Sequence, residues 1–430
     1  MNPAGGAAPH IRTARMHRLQ ARCAMLLIAL TALPAPRSAD AVDETQRAAE
    51  AAFDRLNREA ATAFGRLQQQ ADAAFAAQEQ AWRAYTEAQQ RAFARYKAEI
   101  EAIWGAEQSR LPGRKKWVSY GADHRSRTTV DFERGKVEVD LLLEGKKPAD
   151  ESQIRRRLAD RLAAAIARPA REDPLLEVPA PPGAATSHRP ILPLAGELKT
   201  TDGTPVDADN AAAFARRIAA RATIRRKRIQ TPAGEKGMVS LTLPLPPDHM
   251  LRRAERFRPQ VEANAARWGL PAALVFGVIE TESAFNPMAR SNVPAFGLMQ
   301  LVPRTGARDA YRKVYGEDKI VTPEYLYDPD HNIALGTAYL ALLQSREMRR
   351  IRDPQSRLFC TIAAYNTGGG NVARAFIPGS RNIQRAAARI NRMRPDQVFQ
   401  QLRTRLPYPE TRDYVVLVRN RMARYRAWER

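Results

Sequence analysis

The chain has 430 residues, 44% apolar, 27% charged and 7% aromatic, a balance that supports two or three packed domains and excludes wholesale disorder. Its 69 Lys and Arg outweigh 46 Asp and Glu to give a formal charge of +23, and all but 11 of the 69 are Arg, which favours planar anionic or hydrogen-bonding partners. No apolar run reaches the ~18 residues of a spanning helix, which excludes a polytopic membrane protein.

The first forty residues read as a leader. Arg12, Arg15, Arg18 and Arg22 precede a short apolar run from Cys23 to Leu33, and Ala39-Asp40-Ala41 offers a small-residue cleavage site, so residues 1–41 are expected to be an export signal. Met16 is an alternative start. Cleavage leaves Cys360 alone, so no intramolecular disulfide is expected. Cys360 lies among Leu358, Phe359 and Ile362 and reads as a packed thiol without a catalytic role.

Residues 42–104 carry a repeat. Phe53, Phe64 and Phe75 are eleven apart, and the series resumes after a seven-residue step as Trp82, Phe93 and Trp104, shadowed by Tyr85 and Tyr96. An eleven-residue period keeps one stripe nearly straight along a helix. With Ala, Gln and Glu between and no Pro, a single long helix is predicted. Its stripe suits packing on its own domain or docking of a partner protein.

Period two takes over at 116–145. Val130 and Phe132 alternate with polar residues, Glu133 to Lys136 turn the chain, and Val137, Val139 and Leu141 alternate again, a hairpin signature. Ile154, Leu158, Leu162 and Ile166 then mark a helix that stops before Pro169. Residues 169–196 are rich in Pro and Ala and read as a linker or irregular crossing. A helix near 208–228 and a strand at 238–243 complete a small α+β domain over 105–247.

From 250 to 430 the strand signals vanish and helices are expected at 251–268, 271–283, 295–313, 331–348, 355–366, 368–376, 381–392, 395–403 and 410–427. The whole is thus a multidomain α+β chain, with an accessory N-terminal domain and an all-α domain after it.

The chemistry lies on the helix 271–283. Leu274, Val275, Val278, Ile279 and Glu282 share one stripe, whereas Glu280, two residues from Glu282, falls on the far side and is expected to face solvent. A carboxyl on an apolar face has its pKa raised by desolvation, and the negative end of its own helix pushes the same way. Those are the conditions for a general acid near neutral pH. A Glu paired with a buried Arg explains the position equally well.

The neighbouring motifs decide between them. ETESAFNP, followed by Ser291, then GLMQ with Gln300, AYNTGGG with Tyr365, and ETRDYV with Tyr414 resemble, in order and spacing, the four motifs of family 1 lytic transglycosylases. AEIEAIWG, the hairpin HRSRTTVDFERGKVEV and LYDPDHNIALGTAYLA extend the likeness over roughly 95–430, toward the N-terminal domain of a membrane-bound branch of that family. That branch is an outer-membrane lipoprotein, whereas Cys23 here precedes the apolar run instead of closing it.

The resemblance implies a goose-lysozyme-like catalytic domain, with Glu282 as catalytic acid and Ser291, Gln300, Tyr365 and Tyr414 as sugar contacts. Glu280 has no catalytic counterpart. It also implies cleavage of peptidoglycan glycan strands between N-acetylmuramic acid and N-acetylglucosamine without water. One Glu would act as acid and then as base, leaving 1,6-anhydromuramoyl ends, since no motif supplies the second carboxylate that a two-carboxylate hydrolase requires. A true hydrolase and a catalytically silent peptidoglycan-binding scaffold are the rival readings.

No cofactor or metal is expected. His10, His17, His124, His188, His249 and His331 are scattered without paired ligand spacing, and no phosphate-binding loop occurs. The basic charge also suits nucleic acid, but an exported chain meets the envelope instead, so no nucleic acid partner is expected. The expected place is the periplasm of a Gram-negative cell. The charge is compatible with a loose membrane-surface association and requires none.

Overall fold

The computed structural model describes residues 39–144, 150–170 and 173–429. The leader expected over 1–41 lies outside them except for its last three residues, which are helical, and Cys23 lies outside them entirely.

One helix, α1, runs Ala39–Trp104, as the absence of Pro and the wealth of Ala predict. The chain divides into two compact units, one ending at Glu79 and one spanning Gln80–Arg430. In the first, Phe53, Phe64, Leu67 and Phe75 are all exposed. In the second, the remainder of the stripe is used for packing. Trp82 and Tyr85 are buried against Ile320, while Ile100 and Trp104 are buried against Val118, Tyr120, Leu142, Ile229 and Met238.

Those last residues belong to an antiparallel sheet of β1 (Lys116–Tyr120), β2 (Ser126–Asp131), β3 (Lys136–Leu142), β4 (Arg225–Thr231) and β5 (Gly234–Pro244), in the order β1-β2-β3-β5-β4. Alternation gives the sheet two apolar faces. Leu142 and Met238 face α1, whereas Val137, Val139, Leu141, Val239 and Leu241 face α2 (Glu151–Ala167) and α3 (Ala211–Arg221). Arg127 and Asp140, cross-strand partners, form a fully buried ion pair at 2.8 Å. The guanidinium lies 4.1 Å from the centre of the Trp104 ring, so α1 caps a charge that would otherwise be costly to bury.

A helix is expected near 208–228, and α3 is shorter. The helix ends at Arg221, and β4 follows at once. The β4 segment RRKRIQT has no alternation because it is an exposed edge strand, and Lys and Arg there discourage pairing with other chains.

Beyond the sheet the chain is helical: α4 (His249–Arg256), α5 (Arg258–Trp268), α6 (Ala272–Ser283), α7 (Arg308–Tyr315), α8 (Pro323–Tyr327), α9 (Pro329–Leu342), α10 (Pro354–Thr367), α11 (Gly369–Phe376), α12 (Ile383–Ile390), α13 (Pro395–Arg405) and α14 (Pro409–Tyr425). The helix expected over 295–313 begins only at Pro303, as one wide turn that leads into α7. Residues 289–302 instead form a loop closed by bridges from Phe296 to Arg290 and to Leu301. Left-handed backbone at Gly297 (φ 75°) and Gln300 (φ 50°) is incompatible with a helix.

Candidate active site

Helix α6 is the centre of the helical domain. From Ala273 to Ser283 every residue is buried, because AALVFGVI is apolar on all sides and such a helix has no solvent face. Its neighbour α14 approaches closely at Gly277. A Cβ there would meet the Val418 carbonyl at 3.1 Å and Met422 Cγ at 3.0 Å. Glu280 is therefore not on a solvent face as the wheel suggested. It is 3% exposed and bound by Arg424 at 2.6 Å, Arg421 at 3.2 Å and the Tyr425 hydroxyl at 2.5 Å, all from α14. Two guanidinium groups and a phenol saturate this carboxylate, so it is a structural ion pair.

Glu282 is also buried, at 6% exposure, but its surroundings differ. Among the described residues a single arginine reaches it: Arg114, in the loop before β1. The Arg114 guanidinium donates to Glu282 Oε2 at 3.2 Å, to the Glu282 carbonyl at 3.1 Å and to the Thr281 carbonyl at 3.4 Å. Its remaining amine meets Glu410 Oε1 at 3.2 Å. Burial pushes the Glu282 carboxyl up to about 7, against the opposing pull of Arg114, Tyr414 and Lys115, with Glu410 adding to the rise. A carboxyl that stays half protonated near neutral pH is equipped to give a proton and take one back.

Past Ser283 the backbone turns through two consecutive left-handed residues, Ala284 (φ 51°) and Phe285 (φ 61°). Non-glycine residues there cost of order 1 kcal/mol each, and buried contacts hold them. Phe285 stacks parallel to Phe257, and the Ala284 carbonyl accepts from Arg253 at 2.7 Å. Arg253 is itself buried, donates to the Phe132 carbonyl of the hairpin at 2.9 Å and pairs with Glu197 at 3.0 Å. The strain thus sits directly after Glu282 and is clamped by a residue that also grips the N-terminal sheet.

The GLMQ turn is tied to the same helix end. Ser283 Oγ donates to the Leu298 carbonyl at 2.8 Å. Asn332, fully buried on α9, accepts from the Met299 amide at 2.8 Å and donates to the Phe296 and Leu326 carbonyls at 3.0 and 2.7 Å. Gly297 is required here, since a Cβ would lie 2.0 Å from the Leu326 carbonyl and 2.2 Å from Asn332 Nδ2.

Of the residues singled out in the sequence, Tyr414 lies against Glu282. Its buried hydroxyl has no well-formed hydrogen bond, and burial, with the Glu282 carboxyl beside it, holds the phenol well above its ordinary range. Tyr365 shares this neighbourhood electrostatically, but its hydroxyl is committed to the Met299 carbonyl at 2.8 Å, which fixes the GLMQ turn. Gln300 donates to the Gly297 carbonyl at 3.1 Å and keeps a buried, unpaired Oε1. Ser291 donates to the Val293 carbonyl within its own loop, and no hydrogen bond joins it to Glu282. Asn366 accepts from Thr411 Oγ1 at 2.7 Å, bracing α10 against α14. Cys360 is buried, its thiol raised by burial. Among the described residues no cluster of His, Cys, Asp and Glu is placed to hold a metal ion.

Sequence reasoning missed Arg114 and Glu410. Arg114 sits in the basic run Arg114-Lys115-Lys116, which by itself reads as a solvated loop.

Residues 259–384, which include Glu282, Gln300 and Tyr365, match the Transglycosylase SLT domain family. Residues 82–159, which include Arg114, match the N-terminal domain family of membrane-bound lytic murein transglycosylase C. Over 334 residues the chain is 33% identical to the membrane-bound lytic murein transglycosylase C of Sodalis glossinidius, covering 77% of this chain and 88% of that protein. The chain belongs to the membrane-bound lytic murein transglycosylase C family. It is therefore an enzyme of the lytic transglycosylase class, built as a mixed α+β chain with a helical SLT domain. Its counterpart in Serratia proteamaculans is 32% identical over 333 residues, with the same coverage of 77% and 88%. Among solved structures, the 70-kDa soluble lytic transglycosylase of Escherichia coli is similar at 26% identity over 42% of this chain and 26% of that one, with a TM-score of 0.31.

Proposed function

We propose that this lytic transglycosylase cuts peptidoglycan glycan strands between N-acetylmuramic acid and N-acetylglucosamine without admitting water, and that Glu282 is its one acid and base. The observation that carries the reading is the buried Glu282 carboxyl, raised to about 7 at the C-terminal end of α6 within the SLT match. Protonated Glu282 gives its proton to the glycosidic oxygen as the bond from that oxygen to C1 breaks, and the departing sugar keeps the bonding electrons. The cationic charge left on the muramoyl ring is stabilised by the substrate's own 2-acetamido group. The Glu282 carboxylate then takes the proton from the C6 hydroxyl as that oxygen bonds to C1, closing the 1,6-anhydro ring and restoring the starting acid.

The Tyr414 hydroxyl, which lies against Glu282, and the unpaired Gln300 Oε1 would meet the sugar. Tyr365 would contribute its ring face and hold the GLMQ turn, and Ser291 would meet the sugar from the 289–302 loop. The same reading puts the mature chain in the periplasm, where its substrate lies. The relatives are named membrane-bound, and among the described residues no helix is long and apolar enough to cross a membrane.

A second reading has one observation in its favour. Arg114 bridges Glu282 to a second carboxylate, Glu410, which would serve as a base for water in a hydrolase. Mass spectrometry of muropeptides released from purified sacculi separates the two. The anhydro route gives products lighter by one water than the hydrolysed ones, lost in Glu282→Gln and retained in Glu410→Gln. Reducing ends that vanish in Glu410→Gln would establish the hydrolase.

A further inference from the structure

We propose that Arg114, carried by the N-terminal sheet domain, is the positioning residue of Glu282, so that the active site of the helical domain is completed by the domain before it. The inference rests on the role of Glu282 proposed above.

Three observations converge. The first is the number of contacts that one side chain makes. The guanidinium meets the Glu282 carboxylate, two main-chain carbonyls at the end of α6, and Glu410. Helix-end carbonyls lack partners within the helix, and a cation there is favourable. A planar fork spanning carbonyl and carboxylate of the same residue fixes the Glu282 side chain relative to its own backbone. A lysine, with one point charge, does not reproduce that geometry.

The second is that the loop bearing Arg114 is itself held. Asn286 Nδ2 donates to the Arg114 carbonyl at 3.2 Å, and the Arg290 amide donates to the Gly113 carbonyl at 3.4 Å. Both come from the segment just after α6, so the arginine and the carboxylate are referenced to one piece of chain. The third is the strained turn at Ala284 and Phe285. It ends α6 one residue past Glu282 and leaves the carboxyl at a helix terminus that Arg114 caps from the other domain.

The charged and titratable groups facing Glu282 are Arg114 and Lys115 from the loop before β1, Glu410 and Tyr414 from α14, and Tyr365 from α10. Of these, Arg114 exerts the largest downward pull. When Glu282 gives up its proton, Arg114 is already in place to stabilise the carboxylate and to keep it aimed for the return step. It acts on the sugar through Glu282 alone.

The test uses the full chain as wild type, Arg114→Ala and Arg114→Lys. The Glu282 carboxyl is followed by carbon-13 titration and identified by its absence in Glu282→Gln. Muropeptide release is measured beside it for kcat and KM against pH. In Arg114→Ala the Glu282 midpoint and the alkaline limb of kcat both move up by about one to three pH units, the usual effect of losing an adjacent opposite charge. The same variant loses kcat with KM little changed. Arg114→Lys brings the midpoint back but not the full kcat. If Arg114→Ala fails to fold, Arg114→Gln, which keeps donors without the charge, is read in the same way. An unmoved midpoint in the uncharged variants overturns the proposal, whatever happens to activity. A shifted midpoint in a chain whose wild type releases no anhydro ends would uphold the pairing and refute the proposed chemistry instead.

Discussion

Replacing Glu282 by Gln should stabilise the fold at alkaline pH while abolishing activity. In the unfolded chain a Glu titrates near its ordinary 4.5, whereas burial in the folded chain raises Glu282 to about 7. A carboxyl with a raised folded pKa is easier to bury protonated than ionised. Below pH 4.5 it is neutral in both states and contributes no difference. Between about 4.5 and 7 the unfolded chain ionises first and stability falls, and above about 7 the loss is complete. The shift corresponds to about 3 kcal/mol, discounted little because the group is almost wholly buried. Gln keeps the shape and carries no charge. Guanidinium unfolding of wild type and Glu282→Gln at pH 5 and pH 8 isolates the effect, since Glu197, also raised to about 7, contributes equally to both chains. Part of the loss has already occurred at pH 5, so the variant should gain about 2.5 kcal/mol over wild type on going from pH 5 to pH 8. A difference that is the same at both pH values would refute the desolvation argument on which the general acid rests.

Gly297→Ala should fail to fold or lose more than about 2 kcal/mol, since its Cβ would overlap the Leu326 carbonyl and Asn332; thermal melting checks it, and a wild-type melting temperature would mean the GLMQ turn adapts freely. Asn332→Ala removes two hydrogen bonds to that turn and one to the Leu326 carbonyl of α8 and should cost about 2 kcal/mol together with much of kcat; full activity would separate the turn from catalysis. Tyr414→Phe should move the alkaline limb of kcat upward, because the hydroxyl lowers the Glu282 pKa, and reduce kcat roughly tenfold, about the worth of one hydrogen bond. An unchanged pH profile would leave Tyr414 a core aromatic.

Most of this architecture was legible because local patterns carried it. The period-two hairpin, the Ile154 to Ile166 stripe and Glu282 at the end of an apolar helix are all short-range signals. Glu280 was misplaced because a helical wheel assumes one wet face. The run AALVFGVI, apolar all round, already marks a central helix without one. Strand β4 escaped notice because an exposed edge shows no alternation. The helix expected through GLMQ failed on two left-handed residues in a turn held by tertiary bonds from Asn332, Ser283 and Tyr365. Arg114 was invisible for the same reason: its partner is 168 residues away in sequence, and nothing in its basic loop distinguishes it from Lys115.

The central claim is that the cation left when the glycosidic bond breaks is captured by the sugar's own C6 hydroxyl, with Glu282 as the sole proton carrier. Digesting purified sacculi with the mature chain in heavy-oxygen water tests it most directly. Muramoyl ends free of the label and lacking one water, absent with Glu282→Gln, are the predicted result. Label at C1 of the released ends would show that water is the nucleophile and contradict the account.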